Sequence, residues 1–262
     1  MRDHLKQRAG APPGFFAAEA DGLRWLAAPR AVPVVEVLEV GDDFVRLEHL
    51  TGVSPTALAA RTVGARLARL HDAGAPGFGW APSPTAWFGP LEAPFEVPTA
   101  SRATFAEFWA EDRLRPIARR AAPTLGPAGR AAVDEAIDAI ASGAFDGVAG
   151  QGTEQPSRVH GDLWSGNLMW TESGGTLIDP AAHGGHRLED LALLSLFGAP
   201  HLDEIAAGYE EQHPMPASWR RDLPAHLFFA LLAHVHLFGG MYTDQAVSTA
   251  RAVVARADDL RS

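Results

Sequence analysis

Asp162 and Asn167 stand five residues apart in His160-Gly161-Asp162-Leu163-Trp164-Ser165-Gly166-Asn167, and a second acid, Asp179, follows Leu177-Ile178 twelve residues after Asn167. An acid, an amide and a second acid at these intervals suit phosphoryl transfer. One carboxylate takes the proton of an attacking hydroxyl, while the amide and the other carboxylate hold Mg²⁺ against nucleotide phosphates. A small set of oxygen ligands suits that hard ion, which keeps several waters. Asp162 is therefore the candidate base, and Asn167 with Asp179 the candidate metal pair. Gly161 and Gly166 let the backbone turn tightly enough to aim them. The bland alternative is a polar loop in which Asp162 and Asn167 bond their own turn. Two predicted strands frame the loop, at Leu168–Thr171 and Thr176–Ile178 around a Glu-Ser-Gly-Gly turn, and with Asp179 they favour the chemical reading.

The rest of the chain must hold that loop in place. "FFAAEADGLRWLA" (15–27) has apolar residues at helical spacing and stops before Pro29. "VVEVLEV" (34–40) and "FVRLEHL" (44–50), separated by Gly41-Asp42-Asp43, read as a hairpin. Ser54-Pro55 predicts a helix cap with proline at the first turn, opening a helix that runs to Gly74. Residues 75–99 are rich in Pro, Gly and aromatics; so long a connection inside a domain is more often functional than idle. Helical patterns follow at 101–121, 127–142, 188–197, 201–211, 219–239 and 246–260.

Composition bounds the class. The 262 residues, 47% hydrophobic and 21% charged, describe an ordinary globular protein. A net charge of −10 argues against a nucleic-acid partner, which would need a basic stripe. The absence of cysteine excludes disulfides and thiolate metal sites and fits a reducing compartment. No unbroken apolar run approaches the ~20 residues of a membrane span, and the N-terminus lacks a signal-peptide core. A cytoplasmic protein with no membrane partner is expected; oligomeric state is not legible.

"VHGDLWSGN", taken with "IDPAAHGGHRLEDLALLSLFG", resembles the fructosamine (ketosamine) kinases, relatives of aminoglycoside and choline kinases. The likeness extends from about Lys6 to the end, through "VGARLARLHDAGAPGFGW" and "FAEFWAEDRLRP". It implies an α+β, bilobal, protein-kinase-like fold: a small N-lobe (1–50) with a sheet and one helix, and a larger, mainly helical C-lobe (51–262). It implies ATP and Mg²⁺ as cofactors and a small-molecule or protein-bound ketosamine as substrate, phosphorylated on the 3-hydroxyl of the ketose. By the same resemblance Lys6 pairs with nucleotide phosphates and Glu19 pairs with Lys6. Glu48-His49-Leu50 corresponds to the hinge whose backbone meets adenine, and Asp190 to an acid that bonds the catalytic-loop backbone. Trp164 and His234 are candidate substrate contacts, the first by stacking on a sugar or alkyl linker. A core tryptophan and a satisfied core histidine are the competing readings, and Trp80 and Trp87 are weaker candidates for the same stacking.

Two departures from the family pattern stand out. Only five residues precede Lys6, which leaves no room for a glycine-rich phosphate loop, so weakened nucleotide binding is expected. The family's Arg-Glu-x-Asp reads Arg187-Leu188-Glu189-Asp190 here, and no role is read for Glu189. Besides the ketosamine kinase, two readings stay open: an aminoglycoside- or choline-kinase-like enzyme, and a nucleotide-binding pseudokinase. His234 and His236, two apart on a helix, do not share a face and are not a metal pair; His183 and His186 are equally weak candidates.

Overall fold

The computed structural model describes residues 3–262. Strands β1 (Asp3–Gln7), β2 (Val37–Val40) and β3 (Phe44–Glu48) form an antiparallel sheet in the order β1-β3-β2, with helix α1 (Phe15–Ala27) packed against it. Phe16, Ala20 and Leu23 recur at helical spacing and bury against Val45 and Leu47, which is why this segment is a helix and why it sits on the sheet. The hairpin turn at Gly41 is as predicted, but pairing starts only at Val37, with a bulge before Glu39. Val34 and Val35 pair instead with Leu177, Val35 N–H donating to its carbonyl at 3.0 Å. This link ties the sheet to the segment that leads into Asp179.

Downstream come α2 (Ala57–Asp72), the hairpin of β4 (Ala86–Phe88) and β5 (Phe95–Val97), and α3 (Phe105–Glu107). A π-helical segment, Phe108–Leu114, then leads into α4 (Arg115–Ala141). Strands β6 (Ser157–Val159), β7 (Leu168–Thr171), β8 (Gly174–Leu177) and β9 (His183–Gly185) pair as β6 with β9 and β7 with β8. Helices α5 (Leu188–Leu196), α6 (Leu202–Gln212), α7 (Leu223–Phe238) and α8 (Thr243–Arg261) complete an α+β fold.

Three boundaries differ from the sequence pattern, each for a local reason. Thr56, not Ser54, caps α2: its extended backbone brings Oγ1 to the Ala59 N–H at 3.2 Å, and Pro55 falls outside the helix. The helical pattern at 101–121 runs on to Leu125 and meets the second helix at Gly126, whose φ of 64° and ψ of 174° are non-helical, beside Pro127. The β7–β8 turn is two residues rather than four, because Thr171 pairs directly with Gly174.

Helices α2 and α6 meet backbone to backbone. A Cβ on Gly64 or on Gly208 would lie 1.9 Å from the carbonyl oxygen of Ile205 or Arg61 respectively, so only glycine permits the approach. The stretch 219–261 contains an 18-residue window apolar enough in composition to cross a membrane, with a mean hydropathy of 1.4. It breaks at Gly239, and α7 buries Phe228, Leu231 and Val235 in the main core against α4 and α8.

Candidate active site

Strand β6 delivers the chain to His160, and the loop turns at Gly161 with φ 81°. A side chain there would meet the Ala181 carbonyl at 2.3 Å, so both conformation and space demand glycine. The backbone N–H groups of His160 and Gly161 donate to the two oxygens of Asp190 at 2.8 and 2.9 Å. The His160 ring locks the next turn: Nδ1 accepts the Asp162 N–H at 3.2 Å, so Nε2 carries the proton it donates to Ile178 O at 2.8 Å. Burial keeps this ring neutral by lowering its pKa.

Asp190 is wholly buried and also receives His71 Nε2–H at 3.0 Å. The His71 Nδ1 meets the Tyr209 hydroxyl at 2.7 Å, and that hydroxyl accepts from Arg187 Nη1 at 3.1 Å. Burial alone would raise the Asp190 pKa; the hydrogen bond and charge of His71, with the loop N–H groups, more than offset it and hold the group below the usual carboxylate range. The displaced Glu189 has a task of its own. It accepts the His186 N–H at 2.6 Å and meets His183 Nε2 at 3.0 Å, fixing β9 under the loop.

Within this frame Asp162, Asn167 and Asp179 converge. The Asn167 amide Nδ2 donates to Asp162 O at 2.8 Å, to Asp162 Oδ2 at 3.1 Å and to Asp179 O at 3.3 Å. Three surrounding acceptors fix the amide's orientation and leave Oδ1 without a part in these bonds. Asp179 takes a left-handed φ of 51°, an uncommon conformation for a residue with a side chain. Its Oδ1 accepts from Lys6 Nζ at 3.3 Å, and Nζ also binds Glu19 Oε2 at 2.8 Å. β1 holds Lys6 opposite Val45, so the sheet and α1 bring Lys6 to a carboxylate 173 positions away. An amide oxygen and a partly exposed carboxylate fit Mg²⁺, which needs few protein ligands. Among the described residues no group of three or more His, Cys, Asp or Glu could hold a metal ion, which argues against a closed structural site.

Charge follows burial. Desolvation pushes the Asp162 carboxyl up to about 8, against the Asn167 hydrogen bond, with the charges of Asp179 and Asp190 adding to the rise. Burial works against the Lys6 ammonium, yet Glu19 and Asp179 outweigh it and raise its pKa. Glu19 is raised by its own burial, which Lys6 only partly offsets.

These groups line a cavity of about 560 Å³, within the usual range for small-molecule sites. Trp164 stands at its rim, 39% exposed, with its ring edge-on to Phe197 at 5.9 Å. Gly166 is glycine because a Cβ would sit 2.2 Å from that indole. His234 also lines the cavity, its Nδ1 donating to Ala230 O at 2.6 Å and its ring 4.8 Å from Tyr242. His236 turns the other way, against Phe95, as the two-residue spacing requires. Trp87, on β4, lines the cavity wall, whereas Trp80 packs against Trp25 with the rings tilted by 53° and is not among the lining residues. Glu48 and Leu50 lie at the end of β3 outside the cavity lining; Glu48 exchanges backbone and side-chain bonds with Glu36 at 3.0 Å. Sequence reasoning missed His71 and Arg113. His71 lies on the buried face of α2 in its last turn, but its acid partner is 119 residues distant, so no local pattern shows the pair.

A sheet with one helix above a helical body, and a loop that gathers an acid, an amide and a second acid under a lysine, define a small-molecule kinase of the protein-kinase-like class. The likeness to known proteins narrows this. The sequence model described as "Fructosamine kinase" matches residues 4–256, and the chain belongs to that family. It is 32% identical over 236 residues to "Probable ketoamine kinase YniA" of Escherichia coli K12, covering 88% of this chain and 77% of that protein. The crystal structure of a "putative fructosamine-3-kinase" from Thermobifida fusca superposes with a TM-score of 0.87 at 39% identity, covering 97% of this chain and 85% of that one. A choline/ethanolamine kinase family protein from Mesorhizobium loti shares the fold, with a TM-score of 0.58 at 15% identity over 98% of this chain and 86% of that one. The protein is thus a phosphotransferase.

Proposed function

We propose that the enzyme transfers the γ-phosphoryl group of ATP to the 3-hydroxyl of a ketosamine, a fructosamine or ribulosamine carried on an amine such as lysine. The observation that carries this reading is the convergence of Asp162, Asn167, Asp179 and Lys6 in one cavity rimmed by Trp164 and His234. Residues 1–50 act as the nucleotide-side lobe and residues 51–262 as the acceptor-side lobe. Lys6, held by Glu19, directs its ammonium to the nucleotide phosphates, and the backbone from Glu48 to Leu50 meets adenine.

Asn167 and Asp179 hold magnesium, which when bound offsets the negative charge of the phosphates. In its ionised form Asp162 accepts the proton of the sugar hydroxyl as the hydroxyl oxygen bonds to the γ-phosphorus and ADP leaves; with the carboxyl pushed up to about 8, that form grows as pH rises through this value. The Asn167 amide keeps that carboxylate aimed at the acceptor. Trp164 offers a face to the sugar or its linker, and His234 a polar edge. Most of the rate derives from this positioning and from charge placed in advance.

The test is ATP consumption with Mg²⁺ across fructosyl-lysine, ribulosyl-lysine, free fructose, an aminoglycoside and choline, with the product mapped by ³¹P–¹H NMR. The reading expects turnover of the glycated amines with phosphate on O3. Preference for the aminoglycoside or choline would replace it.

A further inference from the structure

Arg113 is a cationic cavity group that the reaction leaves unused. It lies in the π-helical segment, a geometry that recurs at functional sites, and only 3% of it is exposed. Its Nη1 donates to Pro98 O at 2.7 Å and more weakly to Asp112 O at 3.4 Å, and the guanidinium lies over the Phe108 ring at 4.7 Å. Among the described residues Nε and Nη2 have no protein acceptor, and no carboxylate forms an ion pair with this guanidinium; Asp112 is committed to Arg102 at 2.9 Å. Burial lowers the pKa to about 10, with the charges of Glu189 and Asp112 opposing from beyond ion-pair distance, so the group stays charged at neutral pH. A desolvated cation without a counter-ion is costly, and it persists where a ligand supplies the missing charge. Arg113 lines the same cavity as Asp162 and Trp164.

We infer that Arg113 is a specificity-determining residue that receives an anionic group on the amine-bearing half of the acceptor, a carboxylate a few bonds from the sugar. This rests on the ketosamine kinase reading and deepens it. The preferred acceptors are then free glycated amino acids carrying their carboxylate beside the glycated nitrogen. Glycated simple amines lack that group. A carboxylate gives Arg113 two charge-assisted bonds in its fork, which neutral sugar hydroxyls do not match in charge. The other charged cavity residues do not compete: Lys6 is held by Glu19 and Asp179, and the remaining ones are acids.

The experiment compares kcat/KM for fructosyl-glycine and for fructosyl-ethylamine, which differ in the carboxylate. Wild type is expected to favour fructosyl-glycine by roughly 10-fold or more, and Arg113→Met to bring the ratio close to one, chiefly through KM. Arg113→Lys should restore part of the preference, and MgATP affinity should not change in either variant. Equal use of the two acceptors by wild type, or an unchanged ratio in Arg113→Met, overturns the inference while leaving the kinase reading intact. Turnover of neither acceptor overturns both. If Arg113→Met fails to fold, the wild-type ratio and Arg113→Lys decide.

Discussion

His71 and Asp190, 119 residues apart, meet at 3.0 Å with both side chains fully buried, and the same carboxylate holds the N–H groups of His160 and Gly161 in the loop that carries Asp162. The position of Asp162 is thus set from below by a chain running Arg187, Tyr209, His71, Asp190. Replacing Asp190 with Asn puts an N–H₂ among three donors, so at least one buried bond is lost. We expect Asp190→Asn to lose roughly 2–4 kcal/mol of stability and most of its kcat. Denaturant melts and turnover on the same preparation check this; a variant with native stability and kcat would show the loop to be held by other means.

The contact between α2 and α6 gives a second expectation. Gly64→Ala drives a methyl into the Ile205 carbonyl, which neither a rotamer change nor a flexible side chain can relieve. A loss of about 2 kcal/mol or more is expected in urea unfolding. A change within experimental error would mean that the helices separate at little cost.

His226 supplies a pH dependence. Both its ring nitrogens are buried without a partner, its ring is 4.2 Å from that of His186, and burial pushes its pKa down to about 3. Above the unfolded value of roughly 6.5 both states are neutral, and no proton is exchanged on unfolding. Between that value and about 3 the unfolded chain binds a proton that the folded chain refuses, so stability falls as pH falls. His226→Leu should remove up to ~1.4 kcal/mol per pH unit from that slope and leave stability at pH 7 unchanged or improved. Unfolding free energies at pH 7 and pH 5 give the answer, and parallel slopes for the two proteins would count against it.

Much of the site was legible because it is local. The spacing of Asp162, Asn167 and Asp179 survives in three dimensions since one hairpin, β7–β8, carries the chain from Asn167 to Asp179. Helix α1 was legible in full because its apolar face is set by its own residues. Strand β1 was not, since its only signal is pairing with β3 some forty residues on. Strands β6 and β9 are three residues each, and His183-Gly184-Gly185 is poor strand sequence. Its glycines are required instead by close packing, a Cβ on Gly184 meeting the Gly77 carbonyl at 2.1 Å. Arg113 was hidden because an arginine in a helical pattern normally faces water.

The metal assignment predicts that Asp179→Asn weakens magnesium-dependent nucleotide binding without unfolding the protein, because this carboxylate is partly exposed in the cavity rather than part of the core. Calorimetric titration of ATP with and without Mg²⁺ separates the contributions. The same magnesium dependence in variant and wild type would take Asp179 out of the site.

Asp162→Asn tests the account at its centre. Asparagine keeps the shape and can still accept the Asn167 amide, but it cannot take a proton from a sugar hydroxyl. Single-turnover phosphorylation of fructosyl-lysine, measured beside MgATP affinity on the same protein, is the decisive pair. The account predicts a loss of roughly 10²–10⁴-fold in rate with nucleotide affinity little changed. Near-normal turnover would show that Asp162 is not the base and that the loop around it serves only the fold.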